Sequence, residues 1–243
     1  MQVAIVSDIH GNRHAFEAVL AEVARTDAQE IWCLGDVVGY GADPNDCCAL
    51  TREHADVCLA GNHDLAVTGE LSLEEFSRGA AMAAQWTREV IAREHVEWLE
   101  SLAPRGRARS VGLYHASPRD PIWEYVLSAL LAELCLDKTS DRVNLVGHSH
   151  VALSFVRPEG EPATGEPRRA GEAMDVSEGE WLLNPGSVGQ PRDGDPRAAW
   201  LLLDTARWIA DWRRTPYDVS GAQAAIRSAR LPDSLAERLE YGQ

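Results

Sequence analysis

The chain has 243 residues, of which 45% are hydrophobic and 25% charged, and its formal net charge is −15 at pH 7. This length can bury one large core, so we expect a single domain over residues 1–243. No apolar run approaches the ~18 residues that cross a membrane, and the N-terminus lacks secretory features, which favours a cytoplasmic location. The acidic charge, without a basic stripe, disfavours binding to long nucleic acids.

The cysteines do not follow a disulfide pattern. They are odd in number and contain no CxxC pair, and each is expected to be a small buried hydrophobic residue. They are Cys33, Cys47, Cys48, Cys58 and Cys135.

The first quarter of the chain predicts strands alternating with helices. Residues 2–7 indicate a buried strand, and apolar residues at helical spacing across 16–23 indicate a helix after it. Short strands are expected at 31–34 and 57–60, with a helix beginning at 43–45 between them. This alternation is typical of an α/β core.

The middle of the chain predicts more helix. Residues 72–102 are expected to be helical with a break near His95, and residues 113–115 to end a strand. Apolar residues at helical spacing then predict a helix over 122–135.

The last part of the chain predicts strands and two short helices. Residues 144–146 and 151–156 are expected to form two strands around a tight turn, and 157–172, rich in Pro and Gly, an exposed loop. A strand pair and two helices close the chain, at 200–204, 208–212, 218–229 and 233–240.

Polar residues follow the ends of several of these apolar segments. The carboxyl ends of strands in an open α/β sheet form the usual ligand crevice, so we expect these polar groups to converge. They are Ser7-Asp8-Ile9-His10-Gly11-Asn12, Gly35-Asp36, Gly61-Asn62-His63-Asp64, His115 and Gly147-His148-Ser149-His150.

The types of side chain in these segments indicate a metal site. Seven of them offer two carboxylates, one amide oxygen and four imidazoles: Asp8, His10, Asp36, Asn62, His115, His148 and His150. Such a set suits divalent Mn, Fe, Zn, Co or Ni, and the lack of a thiolate excludes a structural zinc cluster. Seven ligands exceed the need of one tetrahedral ion and suit two ions that share a carboxylate. The remaining helical histidines, His14, His54 and His95, are expected to be surface or core residues.

Taken together, these motifs resemble those of the calcineurin-like metallophosphoesterase superfamily, and more narrowly the small YfcE-like phosphodiesterases of bacteria and archaea. The pattern D-x-H, G-D, G-N-H-D, H and G-H-x-H is present in full and in order. Residues 35–45 and 184–192 support the narrower resemblance, which covers essentially the whole chain. It implies a four-layer α/β sandwich of two mixed sheets flanked by helices.

The resemblance also implies a role for each residue. It assigns Asp8, His10 and His150 to a first metal, Asn62, His115 and His148 to a second, and Asp36 as the bridge between them. His63 would be a proton donor with Asp64 orienting its ring, and a water activated by both ions would attack phosphorus. Manganese is favoured, with Fe, Zn, Ni, Co and Mg as alternatives.

Two arginines are candidate substrate contacts. Arg13 follows the first motif, where an exposed arginine at a helix start is the alternative interpretation, and Arg192 lies in a Gly/Pro-rich segment, where a surface ion pair is the alternative. Ala116 and Ser149 depart mildly from the family pattern and remove no ligand.

The expected function is hydrolysis of a small phosphate ester, with phosphodiesters favoured and a nucleotide as one candidate substrate. Local metal charge makes such a substrate compatible with an acidic protein. The alternatives are a phosphomonoesterase or protein phosphatase of the same superfamily and a metal-binding interaction module with little turnover, while a nuclease is disfavoured by charge. No membrane partner is expected, and an oligomer is left open.

Overall fold

Two six-stranded mixed sheets flanked by eight α-helices form the protein, in a computed structural model that describes residues 1–243. The strands are β1 (Gln2–Val6), β2 (Ala28–Cys33), β3 (Val57–Cys58), β4 (Arg105–Ala108), β5 (Val111–Tyr114), β6 (Val143–Leu145), β7 (Ala152–Arg157), β8 (Thr164–Pro167), β9 (Ala173–Asp175), β10 (Glu180–Pro185), β11 (Ala198–Asp204) and β12 (Ile209–Thr215). The helices are α1 (Arg13–Val23), α2 (Pro44–His54), α3 (Asn62–Thr68), α4 (Arg78–Val90), α5 (Arg93–Leu99), α6 (Ala129–Leu136), α7 (Val219–Ser228) and α8 (Asp233–Tyr241). The predicted fold class is confirmed.

The first sheet has the strand order β3-β2-β1-β11-β12-β9, and its strands β1, β2 and β3 are parallel. β1 is apolar on both faces because it is covered on both sides. Ala4 and Val6 pack in a cluster with Phe16 of α1, whereas Val3 and Ile5 pack against residues of the second sheet. The predicted β-α-β unit at the start of the chain is therefore present.

The second sheet has the order β4-β5-β6-β10-β7-β8. The prediction that β6 and β7 form a pair around a tight turn is wrong, because β10 lies between them, parallel to β6 and antiparallel to β7. The intervening residues 146–151 cross the end of β10. This crossing, rather than a hairpin turn, places His148 and His150 at the edge where β1 and β2 also end.

The helical region after α3 differs in detail from the prediction. A 3-10 turn at Leu73–Glu75 precedes α4 and α5, and the break between these two helices lies at Ile91 and Ala92. The Ala92 N–H there donates to Asn45 Oδ1 at 2.7 Å, which replaces a helical hydrogen bond. His95, where the break was expected, lies inside α5 and is buried.

The helix predicted over 122–135 forms only from Ala129 onward. The Asp120 carboxylate accepts the backbone N–H groups of Ile122 and Trp123 at 3.0 and 3.1 Å, which holds the preceding residues in a turn. The Ser128 side chain caps the helix by accepting the N–H of Leu131. A side chain–backbone turn thus competes successfully with the helical pattern.

The end of the chain follows the prediction except at one edge. β11 and β12 form the expected strand pair, and α7 and α8 the expected helices. The region 157–172, expected to be a loop, includes the exposed strand β8, which pairs with β7. All five cysteines are unpaired and four are buried. No helix has both the length and the apolarity to cross a membrane.

Candidate metal centre

The seven predicted ligands come together at one edge of the two sheets. Each lies just beyond a strand, as the strand-end argument requires, and none is more than 3% exposed. Their ligand atoms form two groups that share Asp36: Asp8, His10, Asp36 and His150 in one, and Asp36, His115 and His148 in the other. Asn62 joins the second group, since its Oδ1 lies 3.2 Å from His115 Nε2.

In the first group, the Nε2 atoms of His10 and His150 face each other at 3.0 Å. Asp8 Oδ1 lies 3.9 Å from the His10 nitrogen and 3.4 Å from the His150 nitrogen. Asp36 Oδ2 lies 3.6 Å from His10 Nε2. The four ligand atoms therefore surround one small space.

In the second group, His115 Nε2 lies 3.5 Å from the same Asp36 Oδ2. The Nε2 of His148 faces the Trp123 carbonyl at 3.3 Å. The Nδ1 of His148 is therefore the ring nitrogen left to bind a metal ion. A single carboxylate oxygen of Asp36 thus lies at the junction of the two groups.

Backbone carbonyls fix the tautomers of three of these rings. The Nδ1 of His10 contacts Val38 O at 3.1 Å, that of His115 contacts Leu34 O at 2.9 Å, and that of His150 contacts Gln190 O at 2.7 Å. A carbonyl accepts only, so Nδ1 must carry the proton and Nε2 a lone pair. This is the arrangement in which a histidine presents a nitrogen to a metal ion.

These tautomers make the cluster fit a cation. The facing Nε2 lone pairs of His10 and His150 repel each other unless a positive charge lies beside them. Asp8 Oδ1 and Asp36 Oδ2 are buried and accept no hydrogen bond. A buried carboxylate oxygen without a donor is costly, and a coordinated ion removes that cost. The donor set therefore fits divalent metal.

The backbone at the centre is strained. Nine non-glycine residues have positive φ, and six of them are in or beside the site: Asp8, His10, Asp36, Tyr40, His148 and His150. Such a conformation costs about 1 kcal/mol or more per residue and persists where the surrounding structure enforces it. Its concentration at the ligands indicates that the fold is organised around this site.

Two glycines let the backbone approach the ligands closely. A Cβ at Gly61 would lie 2.0 Å from Asp36 Oδ1, and one at Gly147 would lie 2.1 Å from Ser7 Oγ and 3.0 Å from Asp8 Oδ2. Any side chain at Gly61 would displace the shared carboxylate. The glycines in the G-N-H-D and G-H-x-H motifs therefore make room for the aspartates.

Burial dominates the electrostatics of the cluster. It raises the pKa of Asp8 to about 7 and raises the pKa of Asp36 well above its ordinary value. It lowers the pKa of His10, His148 and His150 well below theirs. Without metal, the site therefore favours neutral side chains, and metal binding must displace protons from the aspartates.

His63 lies beside the ligand cluster but is not part of either group. Its ring packs edge-on against the His10 ring. The centroids of the His63 and Tyr40 rings lie 4.4 Å apart. Its Nδ1 is buried without a hydrogen-bond partner. Burial, and then the charges of Arg192 and His115, lower the pKa of His63 to about 3. The ring lines the cleft above the ligands.

The expected contact between Asp64 and the His63 ring does not form. Asp64 Oδ2 accepts the Gly61 N–H at 2.9 Å and Asp64 Oδ1 accepts the Val38 N–H at 3.1 Å. Asp64 instead holds the backbone of the loop that follows Asp36 and of the glycine that precedes α3. It acts on the loops that carry the ligands rather than on His63.

A cleft of about 280 Å³ opens above the cluster. The aromatic side chains of Tyr40, Phe76, Trp123 and Tyr125 line it, and Phe76 and Trp123 meet edge-on at 5.2 Å between ring centroids. Tyr125 lies 4.1 Å from the His148 ring. Arg192 and Arg238 also line the cleft. A metal-proximal, partly aromatic cleft of this size suits a small organic phosphate.

Comparison with known proteins decides the family. Residues 1–207 match the model of the calcineurin-like phosphoesterase superfamily domain. The chain belongs to the calcineurin-like phosphoesterase superfamily. It is therefore a hydrolase of the metallophosphoesterase class, with the buried Asp and His cluster as its candidate site for divalent metal. The superfamily prediction made from the motifs is confirmed.

Similar proteins cover nearly the full length of this metallophosphoesterase. An uncharacterised protein of Methanocaldococcus jannaschii is 37% identical over 247 residues, 99% of this chain and 98% of that protein. The crystal structure of a metallophosphoesterase from Sphaerobacter thermophilus has a TM-score of 0.91 and 41% identity and covers 100% of this chain and 99% of its own. A hypothetical protein of Pyrococcus horikoshii has a TM-score of 0.82 at 17% identity, with coverage of 100% and 98%, and shows the same fold.

The two arginines expected near the substrate have different positions in this metallophosphoesterase. Arg13 begins α1 and its Nη1 lies 3.8 Å from Asp46, outside the residues that line the cleft, as the surface alternative predicted. Arg192 lines the cleft, with its Cζ 5.7 Å from the Tyr40 ring centroid. The alternative of a surface ion pair for Arg192 is wrong, since no carboxylate lies within 4.0 Å of it.

Sequence reasoning missed several residues that line the cleft of the metallophosphoesterase. Trp123 was assigned to the apolar stripe of the helix predicted over 122–135, Tyr125 fell within the same predicted helix, and Arg238 was assigned to a closing helix without a role. Tyr40 lies within residues 35–45, which support the family resemblance, but only its position among three histidine rings reveals its contact with the site. No sequence signal distinguishes Arg238 from other helical arginines.

Proposed function

We propose that the protein is a binuclear, metal-dependent phosphodiesterase acting on small phosphate diesters, with nucleotides as the substrate class. One observation carries the proposal. Asp36 Oδ2 lies between two groups of ligand atoms, and it accepts no hydrogen bond from the protein. A shared, buried carboxylate oxygen flanked by lone pairs on both sides suits two cations better than one.

We assign the ligands to two ions as the family resemblance implies. Asp8, His10 and His150 would hold the first, Asn62, His115 and His148 the second, and Asp36 both. Two divalent ions against two aspartates leave a net positive charge for an anionic ester. The mixed nitrogen and oxygen set suits first-row divalent metals, and among these, where availability decides, we propose Mn. When bound, the ions polarise the phosphoryl group and acidify a water molecule.

His63 would serve the leaving group. Its ring lines the cleft next to the cluster, and because its Nδ1 is buried, Nε2 is the nitrogen that would donate to a substrate. In the free protein the low pKa keeps His63 neutral, so a proton must arrive with the anionic substrate, whose charge favours the imidazolium. The protonated ring then donates to the departing alkoxide, a contribution typically worth about 10²–10⁴-fold.

The cleft supports a diester with an aromatic substituent. It offers room beyond the ligand cluster for a second ester group, bounded by Phe76, Trp123 and Tyr125. A nucleobase stacks on such side chains with about 1–3 kcal/mol per base. The small volume and the net charge of −15 oppose entry of a long nucleic acid.

Hydrolysis of chromogenic esters by metal-stripped and reconstituted protein tests this proposal. We expect bis(p-nitrophenyl) phosphate to be cleaved after addition of Mn, more efficiently than p-nitrophenyl phosphate. Asp36→Asn should abolish this activity, whereas Asp27→Asn, at an exposed position, should retain it. Activity that persists in Asp36→Asn, or that needs no added metal after stripping, would contradict the proposal.

A further inference from the structure

Two adjacent arginines of the cleft have no acidic partner. Arg192 and Arg238 both donate to the same oxygen, Gln190 Oε1, at 3.0 and 3.1 Å. Their donating nitrogens therefore lie at most about 6 Å apart. No carboxylate lies within 4.0 Å of either guanidinium, although the chain has 38 acidic residues. The Nε of Arg192 is buried and has no partner.

Placing two like charges together costs free energy that the protein does not recover internally. Burial, and then the charge of Arg192, lower the pKa of Arg238, the direction that repulsion between two cations gives. Gln190 is neutral and satisfies one donor of each guanidinium only. The Tyr40 hydroxyl, also neutral, accepts from Arg192 Nη2 at 3.3 Å, and both arginines line the cleft. An anion between them would neutralise the pair.

The position of this pair relative to the metal cluster defines what kind of anion it can bind. Arg192 lies over the Tyr40 ring, which in turn lies 4.7 Å from the His10 ring. Both arginines also line the same cleft of about 280 Å³ as the candidate ligands Asp36, His148 and His150. A phosphoryl group at the metals and a second anionic group of the same molecule can therefore be bound together.

The second arginine comes from outside the family domain. Arg238 lies on α8, whereas the family model ends at residue 207. Leu235 and Leu239 of the same helix are buried in a cluster that includes Tyr40 and Ile226 of α7. The α7–α8 hairpin is thereby held against the edge of the site. Its packing fixes Arg238 in the cleft.

We propose that Arg192 and Arg238 bind a second phosphoryl group of the substrate, so that nucleotides with two phosphates joined by an anhydride oxygen are preferred over simple diesters. This inference rests on the proposed function and names its substrate class. Each phosphorus of a dinucleoside diphosphate carries one ester link to a nucleoside and one anhydride link to the other phosphorus, so it is disubstituted like the phosphorus of a diester. Guanidinium groups suit phosphate because they offer paired, fixed donors.

The reaction of such a substrate is a hydrolysis that needs no further reagent. The oxygen of one water molecule forms a bond to the phosphorus at the cluster, and the bond from that phosphorus to the anhydride oxygen breaks. The second phosphate leaves with the anhydride oxygen and the bonding electron pair, held by the two arginines. Diadenosine diphosphate and one water thus give two molecules of adenosine monophosphate, with the protons of the water shared between them and solvent.

A matched pair of dinucleotides tests the inference with the full chain loaded with Mn. Diadenosine diphosphate joins two 5′ oxygens through two phosphates, adenylyl-adenosine joins a 3′ and a 5′ oxygen through one, and the change in the ratio of their kcat/KM values between wild type and variant is the readout. We expect the wild type to favour the diphosphate, and Arg238→Met to lower that ratio about 10- to 100-fold, as loss of a charge-assisted hydrogen bond would. Arg230→Met, which removes an exposed charge between the same two helices, should leave the ratio and the activity unchanged.

The outcomes separate this inference from the proposed function. The inference would be overturned if the wild type hydrolysed both dinucleotides with equal kcat/KM, or if Arg238→Met lowered kcat/KM equally for both. Either result would leave the proposed phosphodiesterase activity intact. Hydrolysis of neither would refute the proposed function. Calorimetric titration of the Mn-loaded protein with pyrophosphate and with phosphate then decides the inference by itself. Selective weakening of pyrophosphate binding in Arg238→Met supports it, and equal binding in both proteins contradicts it.

Discussion

Replacement of Asp8 by Asn should stabilise the metal-free protein at neutral pH. Burial raises the pKa of Asp8 from 3.8 to about 7 in the folded state. The folded protein then binds more protons than the unfolded chain between these values, so its stability falls as pH rises through this window. This change in pKa corresponds to a loss of roughly 4 kcal/mol of folding free energy once pH exceeds 7, an order-of-magnitude figure for the burial of an unpaired carboxylate.

Asparagine avoids this cost because it has no charge to desolvate. Its amide can also donate to the His150 Nε2 lone pair, which Asp8 Oδ1 faces at 3.4 Å. We therefore expect metal-free Asp8→Asn to be more stable than metal-free wild type at pH 8, by up to about 4 kcal/mol. The difference should shrink or reverse near pH 4. With Mn bound, the order should be the opposite, since the variant loses a ligand.

Urea unfolding in a chelator at pH 4 and pH 8 measures this difference. Asp27→Asn is the matched control, because Asp27 is exposed and its replacement should change stability little at either pH. The reasoning would be refuted if Asp8→Asn were less stable than wild type at pH 8. It would also be refuted if the difference between the two proteins did not depend on pH.

Three further predictions concern the site. His63→Ala should lower kcat about 10²–10⁴-fold while metal content, read by mass spectrometry, stays at the wild-type level; loss of metal would make His63 a ligand. Gly61→Ala should lower metal content because its Cβ would lie 2.0 Å from Asp36 Oδ1, whereas Gly79→Ala, whose Cβ meets its nearest neighbour at 3.7 Å, should not. Trp123→Ala should raise the KM of adenylyl-adenosine about tenfold with little change for bis(p-nitrophenyl) phosphate, and equal effects would argue against base stacking.

The ligand cluster could be predicted because its signal is local. Each predicted ligand follows an apolar segment, and the ends of strands meet at one edge of a sheet whatever the details of the connections. For this reason the error over β6 and β7 did not affect His148 and His150. The residues between these strands reach the same edge whether they form a hairpin or cross the end of β10.

Roles that depend on contacts between distant residues could not be predicted. Asp64 follows His63 in sequence, but its carboxylate is nearer to the backbone at Gly61 and Val38 than to the ring. The tautomer of His10 depends on the Val38 carbonyl, 28 residues away. Spacing along the chain carries no information about such contacts.

The cleft walls were missed because local turn chemistry overrode the hydrophobic period. The apolar spacing over 122–135 fits a helix, but Asp120 binds two backbone N–H groups that a helix would use elsewhere. Trp123 and Tyr125 consequently turn toward the site rather than into a helical core. Arg238 was missed for a different reason, since its role depends on how α8 docks on Tyr40.

Simultaneous measurement of bound metal and activity tests the binuclear site most directly. Metal-stripped protein is titrated with Mn, and each sample is divided between mass spectrometry and hydrolysis of bis(p-nitrophenyl) phosphate. We predict that two ions bind per chain and that activity rises with the second. Asp36→Asn should bind fewer ions and remain inactive throughout. Full activity with one ion per chain, or with none, would contradict the account.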